Sequence, residues 1–301
     1  MHSRITDNFL LKISSNSLGV RLEGGRRTRK SPQTHTRPFA SFCSTVREFW
    51  RTSGRHTLPW RFKRSLPAGR QAYKLLVSEV MLQQTQVERV IPYYRAFLRK
   101  FPTVRALSRA PLVEVLKIWS GLGYNRRAKC LRDAAIDVVD KYDGKIPSGY
   151  SELRELPGVG DYTARAVRVF AFNESDVLIE TNIRTALIHH FYQDGTLVED
   201  RALITLLSKV GRKGEPREWC WALMDYGAHL KTSGIRNNHR SAHYTKQSKF
   251  EGSVRQLRGV IIRTLSSGKM IEIRSKSLGE ALAGLTRDGL VVKREGEWQL
   301  A

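Results

Sequence analysis

The stretch "ELRELPGVGDYTARAVRVF", Glu152–Phe170, decides the fold. A short helix runs into Pro157-Gly158-Val159-Gly160, and a second helix opens at Asp161, Tyr162 and Thr163. Gly158 and Gly160 carry no side chain, so the backbone can approach a ligand closely. The N–H groups at the start of the second helix then point outward as an anion site. A DNA phosphate suits that geometry. No third glycine follows at dinucleotide-fold spacing and no strand precedes the loop, which argues against a dinucleotide site. A plain helix-turn-helix corner is the alternative.

The chain has 301 residues, room for two compact domains and a small third. Its 52 Lys and Arg against 28 Asp and Glu give a net charge of +24, which favours a polyanionic partner. Cys43, Cys130 and Cys220 lie far apart and form no CxxC pair, so they build neither a disulfide framework nor a metal or iron-sulfur site. No apolar run approaches the ~18 residues of a membrane span. These features predict a soluble, monomeric protein of the bacterial cytosol or nucleoid. Residues 1–35 read as a disordered basic arm, with an organellar transit peptide or a start site placed too far upstream as open alternatives.

From Ser41 to Ser248 nearly every segment carries apolar residues at helical spacing, as in Leu112, Val115, Leu116 and Trp119. Breaks fall at "KFPTV", "YDGKIPSGY" and "RKGEPRE", and "SLPAGRQA", Ser65–Ala72, reads as an inserted polar loop. Beyond it the spacing predicts helices over 254–265 and 278–288. A hairpin then pairs Leu290–Lys293 with Trp298–Leu300 around Glu295 and Gly296. This last unit, residues 251–301, resembles a winged-helix domain whose middle helix is compressed into "GKMIEIRSKS".

Four strings, "SEVMLQQTQVERVIPYY", "GLGYNRRAKCL", "LPGVGDYTARA" and "IETNIRTAL", occur in order and spacing that resemble the helix-hairpin-helix DNA glycosylases, and within them the A/G-mismatch adenine glycosylases. The likeness runs from about Phe49 to Leu230. It implies a mainly α, two-lobed core with a small C-terminal winged-helix-like α+β domain. One lobe of six helices would span residues 64–174, and a second would be built from 36–63 plus 175–250. It further implies an enzyme of base excision repair that hydrolyses the N-glycosidic bond of a flipped-out mispaired base in duplex DNA, most closely adenine opposite G or 8-oxoguanine.

Within that resemblance Glu79 is the general acid. Its neighbours Val80 and Leu82 are apolar, and such surroundings raise a carboxyl pKa by disfavouring the charged form. Glu180 stands where the family carries an aspartate that stays ionised beside the oxocarbenium-like sugar, in the manner of paired glycosidase carboxyls. The added methylene threatens its position, and a shift of about 1 Å can cost ~100-fold in rate. Tyr162 replaces the Schiff-base lysine of the bifunctional branch, which predicts a monofunctional enzyme. Asn182 matches a supporting asparagine, with a helix cap as its alternative role.

The resemblance also places Trp60, Arg61, Leu82, Val87 and Trp221 around the base, the last where the family has Glu or Gln. Gln83, Gln84 and Tyr124 would fill and wedge the opened duplex. Arg126, Arg127 and Lys129 would meet phosphates beside Pro157, Gly158, Val159, Gly160 and Thr163. The four-cysteine cluster loop is replaced by "KTSGIRNNHRSAHYTKQS", Lys231–Ser248, so no iron-sulfur cofactor is expected. His229, His239 and His243 are read as DNA contacts or loop residues, not metal ligands. The family's 8-oxoguanine-reading domain is also missing. Two rivals stay open: a thymine or uracil mismatch glycosylase, and a lesion-binding protein that does not cut.

Overall fold

The computed structural model describes residues 36–62, 68–210, 215–246, 249–272 and 276–301. The expected basic arm, residues 1–35, lies outside them. The helices are α1 Thr36–Ser53, α2 Ala68–Leu82, α3 Val87–Lys100, α4 Val104–Ser108, α5 Leu112–Trp119, α6 Arg126–Tyr142 and α7 Tyr150–Glu155. They continue as α8 Asp161–Phe172, α9 Thr181–Phe191, α10 Asp200–Val210, α11 Pro216–Thr232, α12 Val254–Ser266 and α13 Leu278–Arg287. Strands β1 Val291–Arg294 and β2 Glu297–Leu300 close the chain. The fold is mainly α, as expected.

Apolar side chains gather in two clusters. The larger is centred on α2, whose Leu75, Leu76, Val77, Val80 and Met81 are all buried, and α8 packs against that helix. The smaller joins Phe42 and Val46 of α1 to Ile183, Leu187, Leu203, Trp219 and Leu223 of α9, α10 and α11. Burial on this scale is the main favourable term of folding, at roughly 25 cal/mol per Å² of apolar surface. Asn173 ties the two sets of helices together. It ends α8 in a left-handed conformation, donates from its side-chain amide to Glu215 and accepts from the Arg217 N–H at the start of α11.

Local signals explain several helix boundaries. The Thr103 hydroxyl caps α4 by accepting from the Ala106 N–H. Asp143 and Gly144 end α6 with left-handed backbone, and the Gly144 N–H reaches back to the Val138 carbonyl. Three expectations need correction. Residues 68–72, read as part of an inserted loop, already belong to α2, because Ala, Arg and Gln favour helix. The span 64–174 holds seven helices among the described residues, the extra one being the five-residue α4. The helical texture also stops at Thr232; residues 233–246 form turns, with a single 3₁₀ turn at Asn238–Arg240.

At the C-terminus the expected hairpin is present, pairing Val291 with Leu300 and Arg294 with Glu297. Glu295 and Gly296 both adopt positive φ, 51° and 85°, as a two-residue turn matched to strand twist requires. Ile261, Ile262, Leu285, Leu290 and Val291 of this unit join the larger apolar cluster, so the unit shares its core with the helices before it.

Candidate active site

Glu79 sits on the last turns of α2 and is 5% exposed. Burial and the nearby charge of Glu180 push its carboxyl up to about 8, against smaller opposing effects of the Tyr162 hydroxyl and Arg61. Tyr162, on the first turn of α8, hydrogen-bonds Glu79 and feels both carboxyls, and burial drives its own pKa well above the usual phenol range. The two acids therefore share one site with Tyr162.

Glu180 is the N-cap of α9. Its Oε1 accepts from the Asn182 N–H at 2.8 Å and the Ile183 N–H at 2.9 Å, and its Oε2 accepts from the Asn182 side-chain amide at 3.2 Å. Burial raises its pKa overall, against smaller lowering effects of the two backbone N–H groups, Lys231 and Arg184. Tyr162 hydrogen-bonds Glu79, whereas three N–H donors reach Glu180, which sits at the positive end of a helix dipole. Both carboxyls are raised, and the donors around Glu180 favour the proton on Glu79 when the pair shares one. The longer glutamate folds back onto the helix start, so the added methylene does not leave its carboxylate adrift.

Asn182 does not itself cap the helix; it joins Glu180 to Lys231, whose ammonium donates to the Asn182 side-chain carbonyl at 2.6 Å. Lys231 is the first residue of the cysteine-free segment, and sequence reading missed it. Asn237 and Asn238 of the same segment bond Thr185 of α9, and Arg240 reaches the carbonyls of Tyr192 and Thr196. These residues do not suit an iron-sulfur cluster; their chemistry is that of a polar clamp on α9. Gly227 of α11 completes the support. A Cβ there would lie 1.9 Å from the Asn182 carbonyl oxygen, so only glycine lets α11 approach this close.

The expected base-pocket residues divide. Trp221 stacks on Phe170 with centroids 5.6 Å apart, and the Arg61 guanidinium lies 5.4 Å from the Trp221 ring and 5.2 Å from that of Trp50. Arg61 is not an open-handed base reader. Its side chain is 4% exposed and its two terminal nitrogens pair with Asp225 at 2.6 and 2.8 Å, which Arg55 also bonds. Trp60 is a core residue against Tyr94, and Leu82 and Val87 are half-buried on the larger cluster. Asp225, buried between two arginines that hold its carboxyl below the usual range, had no sequence signal beyond its place in "MDYGAHL".

The hairpin is built as the sequence suggests, with corrections. Gly158 has φ 78° and is exposed, and a Cβ on it would meet the Cys130 side chain at 2.7 Å, so the turn is pressed onto α6. Gly160 is exposed at the start of α8 and Pro157 is half-buried. Val159 and Thr163 are buried instead of facing a ligand: the Val159 N–H donates to Leu156, and the Thr163 hydroxyl accepts from the Gln83 side chain. Gln83 is thereby fixed to α8. Gln84 is exposed with φ 55°, and Tyr124 is half-buried with φ 50°.

The expected basic strip is also revised. Arg127 lies inward, donating to the carbonyls of Val80, Met81, Gln83 and Gly123 and to Thr85, because the carbonyls ending α2 need donors. Lys129 pairs with Asp133, and Arg126, 72% exposed, faces Asp288 at 3.8 Å. His229 stacks on Phe49 and His243 lies 3.7 Å from Asp200. No metal-holding group of His, Cys, Asp and Glu occurs among the described residues. No described helix is long and apolar enough to cross a membrane.

A helical protein that sets a Gly-x-Gly hairpin on the same helix as Tyr162, beside one buried and one half-buried carboxyl, has a helix-hairpin-helix architecture. Residues 77–217 match the family described as "HhH-GPD superfamily base excision DNA repair protein". Over 150 residues it is 41% identical to an adenine DNA glycosylase of Buchnera aphidicola, covering 50% of this chain and 41% of that protein. Over 187 residues it is 34% identical to an adenine DNA glycosylase of Mycobacterium tuberculosis, covering 61% and 60%. The chain spans about half the length of the curated relatives it matches. Among solved structures, a thermostable thymine-DNA glycosylase superposes with TM-score 0.55 at 28% identity, over 64% of this chain and 87% of that one. An endonuclease III trapped on DNA superposes with TM-score 0.51 at 19% identity, over 64% and 84%, a likeness of fold.

Proposed function

We propose that the chain is a monofunctional DNA N-glycosylase that removes a flipped-out adenine mispaired with G or 8-oxoguanine. The observation that carries this reading is the pairing of Glu79, buried with its carboxyl pushed up to about 8, with Glu180, whose carboxyl accepts two backbone N–H groups at a helix start. The adenine glycosylases to which it is similar support the choice of base.

In this mechanism Glu79 gives its proton to N7 of the adenine. The bond from the sugar C1′ to N9 breaks with its electron pair leaving on the base. Positive charge develops on the sugar, where the Glu180 carboxylate offsets it. Water then adds at C1′ and returns a proton to Glu79. Tyr162 orients Glu79 and has no amine to attack the sugar. Borohydride trapping should yield no enzyme-DNA adduct; a trapped adduct would point to Lys231, a half-buried amine near Glu180.

The enzyme would act as a monomer on duplex DNA in the cytoplasm, without an iron-sulfur cluster, the segment after Leu230 holding no cysteine. A second reading, a thymine or uracil mismatch glycosylase, draws on Trp221, an aromatic where an adenine-binding acceptor is expected, and on the thymine-DNA glycosylase likeness. Duplexes carrying A:8-oxoG, A:G, T:G and U:G, cleaved with alkali after incubation, decide between them. Strand scission at adenine is the expected result. Scission only at T or U favours the second reading, and tight binding without scission leaves a lesion-binding protein.

A further inference from the structure

The C-terminal unit reaches the loop that carries Tyr124. An alternating column of aromatic rings and guanidinium groups starts at Trp119, fully buried. The Arg127 guanidinium carbon lies 5.4 Å from the Trp119 ring centroid and 5.3 Å from that of Tyr124. Arg255, on the first turn of α12, lies 5.8 Å from the Tyr124 centroid and 5.4 Å from Phe250, and it donates to the Tyr124 hydroxyl at 3.1 Å. Phe250 ends the column and is 53% exposed.

The column is anchored at both ends. Arg127 is held by the carbonyls that end α2, while Ser253 caps α12 and bonds the Phe250 carbonyl from its hydroxyl at 2.6 Å. Tyr124 has φ 50°, a conformation an L-residue keeps only where its surroundings impose it. The same first turns of α6 that follow Tyr124 press Cys130 against the hairpin's Gly158, and Lys129 lies against the C-terminal Gly289. The phosphate hairpin, the Tyr124 loop and the C-terminal unit thus meet on one short stretch of helix.

We infer that the C-terminal unit is a working part of the duplex-opening surface: Arg255 is a positioning residue that sets Tyr124, and Phe250 offers a further ring on which an unpaired base of the opposite strand stacks. Stacking on exposed rings is how proteins hold unpaired bases whatever their sequence. The inference rests on the base-flipping reading proposed above, and it gives the residues after 250 a task on DNA.

The test compares full-length protein with Arg255→Ala and Phe250→Ala. Thermal melting checks folding. The probe is an A:8-oxoG duplex with 2-aminopurine beside the 8-oxoguanine, whose fluorescence rises when that strand unstacks. A second duplex places the adenine in an unpaired loop, already open. Each variant should give a smaller fluorescence rise and a single-turnover rate roughly tenfold lower on the paired duplex, the scale of one cation–π contact. On the looped duplex rates should stay within about twofold of the parent, since no opening is needed. Unchanged fluorescence on the paired duplex, or equal losses on both duplexes, overturns the inference. If the unaltered protein cleaves neither duplex, the glycosylase reading fails instead, and the fluorescence comparison alone still decides the role of Arg255.

Discussion

Glu79 concentrates the chemistry in a group whose charge the fold opposes. Its carboxyl sits near 8 where an ordinary glutamate sits near 4.5, so the proposed glycosylase activity should fall as pH rises through 8 and the acid loses its proton. Glu79→Gln should lower the single-turnover rate ~100- to 10,000-fold at neutral pH, read on an adenine mismatch, with the gap narrowing above pH 8 where the parent's acid is deprotonated. The same shift bears on stability. The folded chain keeps a proton that the unfolded chain releases between roughly pH 4.5 and 8, so stability is lost as pH rises through that window. Glu79→Gln removes the loss and should melt at a higher temperature than the parent at pH 9, with little difference at pH 5; equal melting at pH 9 would place the carboxyl in water. Glu180 tests the opposite charge. Its cap bonds are also within reach of an aspartate, a preferred capping residue, so Glu180→Asp should hold activity within about tenfold, whereas Glu180→Gln removes the negative charge and should cost ~100-fold or more.

At the scale of elements, α9 matters through what grips it. Its N-terminus presents Glu180 and Asn182, α11 lies against it at Gly227, and the segment from Lys231 to Arg240 bonds its length. Gly227→Ala puts a methyl into the Asn182 carbonyl and should force the helices apart, costing ~1 to 3 kcal/mol by overpacking and reducing turnover through displacement of Glu180; an unchanged urea midpoint would contradict that crossing. Lys231→Met removes a cation that lowers the Glu180 pKa, so the acid limb of the rate profile should move to higher pH. The contrast between Glu180 and Lys231 marks what sequence could convey. Glu79, Tyr162, Glu180 and the hairpin glycines lie inside contiguous strings whose order identifies them. Lys231, Asp225 and Arg255 act on partners 49, 164 and 131 positions away, and no local pattern encodes such pairings. Arg127 and Thr163 were misread for the same reason: their residue types suit DNA, but the carbonyls ending α2 and the Gln83 amide claim them first.

Over the whole molecule two populations of charge behave differently, and salt separates them. The chain carries a net +24, and exposed positive groups bind a polyanion by releasing its condensed counterions. Contacts to about six phosphates would make the affinity for undamaged duplex fall on the order of 1,000-fold between 50 and 200 mM salt. Glu79 is instead buried and Glu180 half-buried, so the coupling between them is screened less than that of exposed charges. The two measurements should therefore part company. Equilibrium binding, followed by anisotropy of a labelled duplex, should decline steeply with salt. The single-turnover rate, taken with enzyme saturating at each salt, should change by less than about threefold over the same range. A saturated rate that falls in parallel with affinity would mean the two carboxyls work in contact with bulk solvent, and that burial does not hold the proton on Glu79.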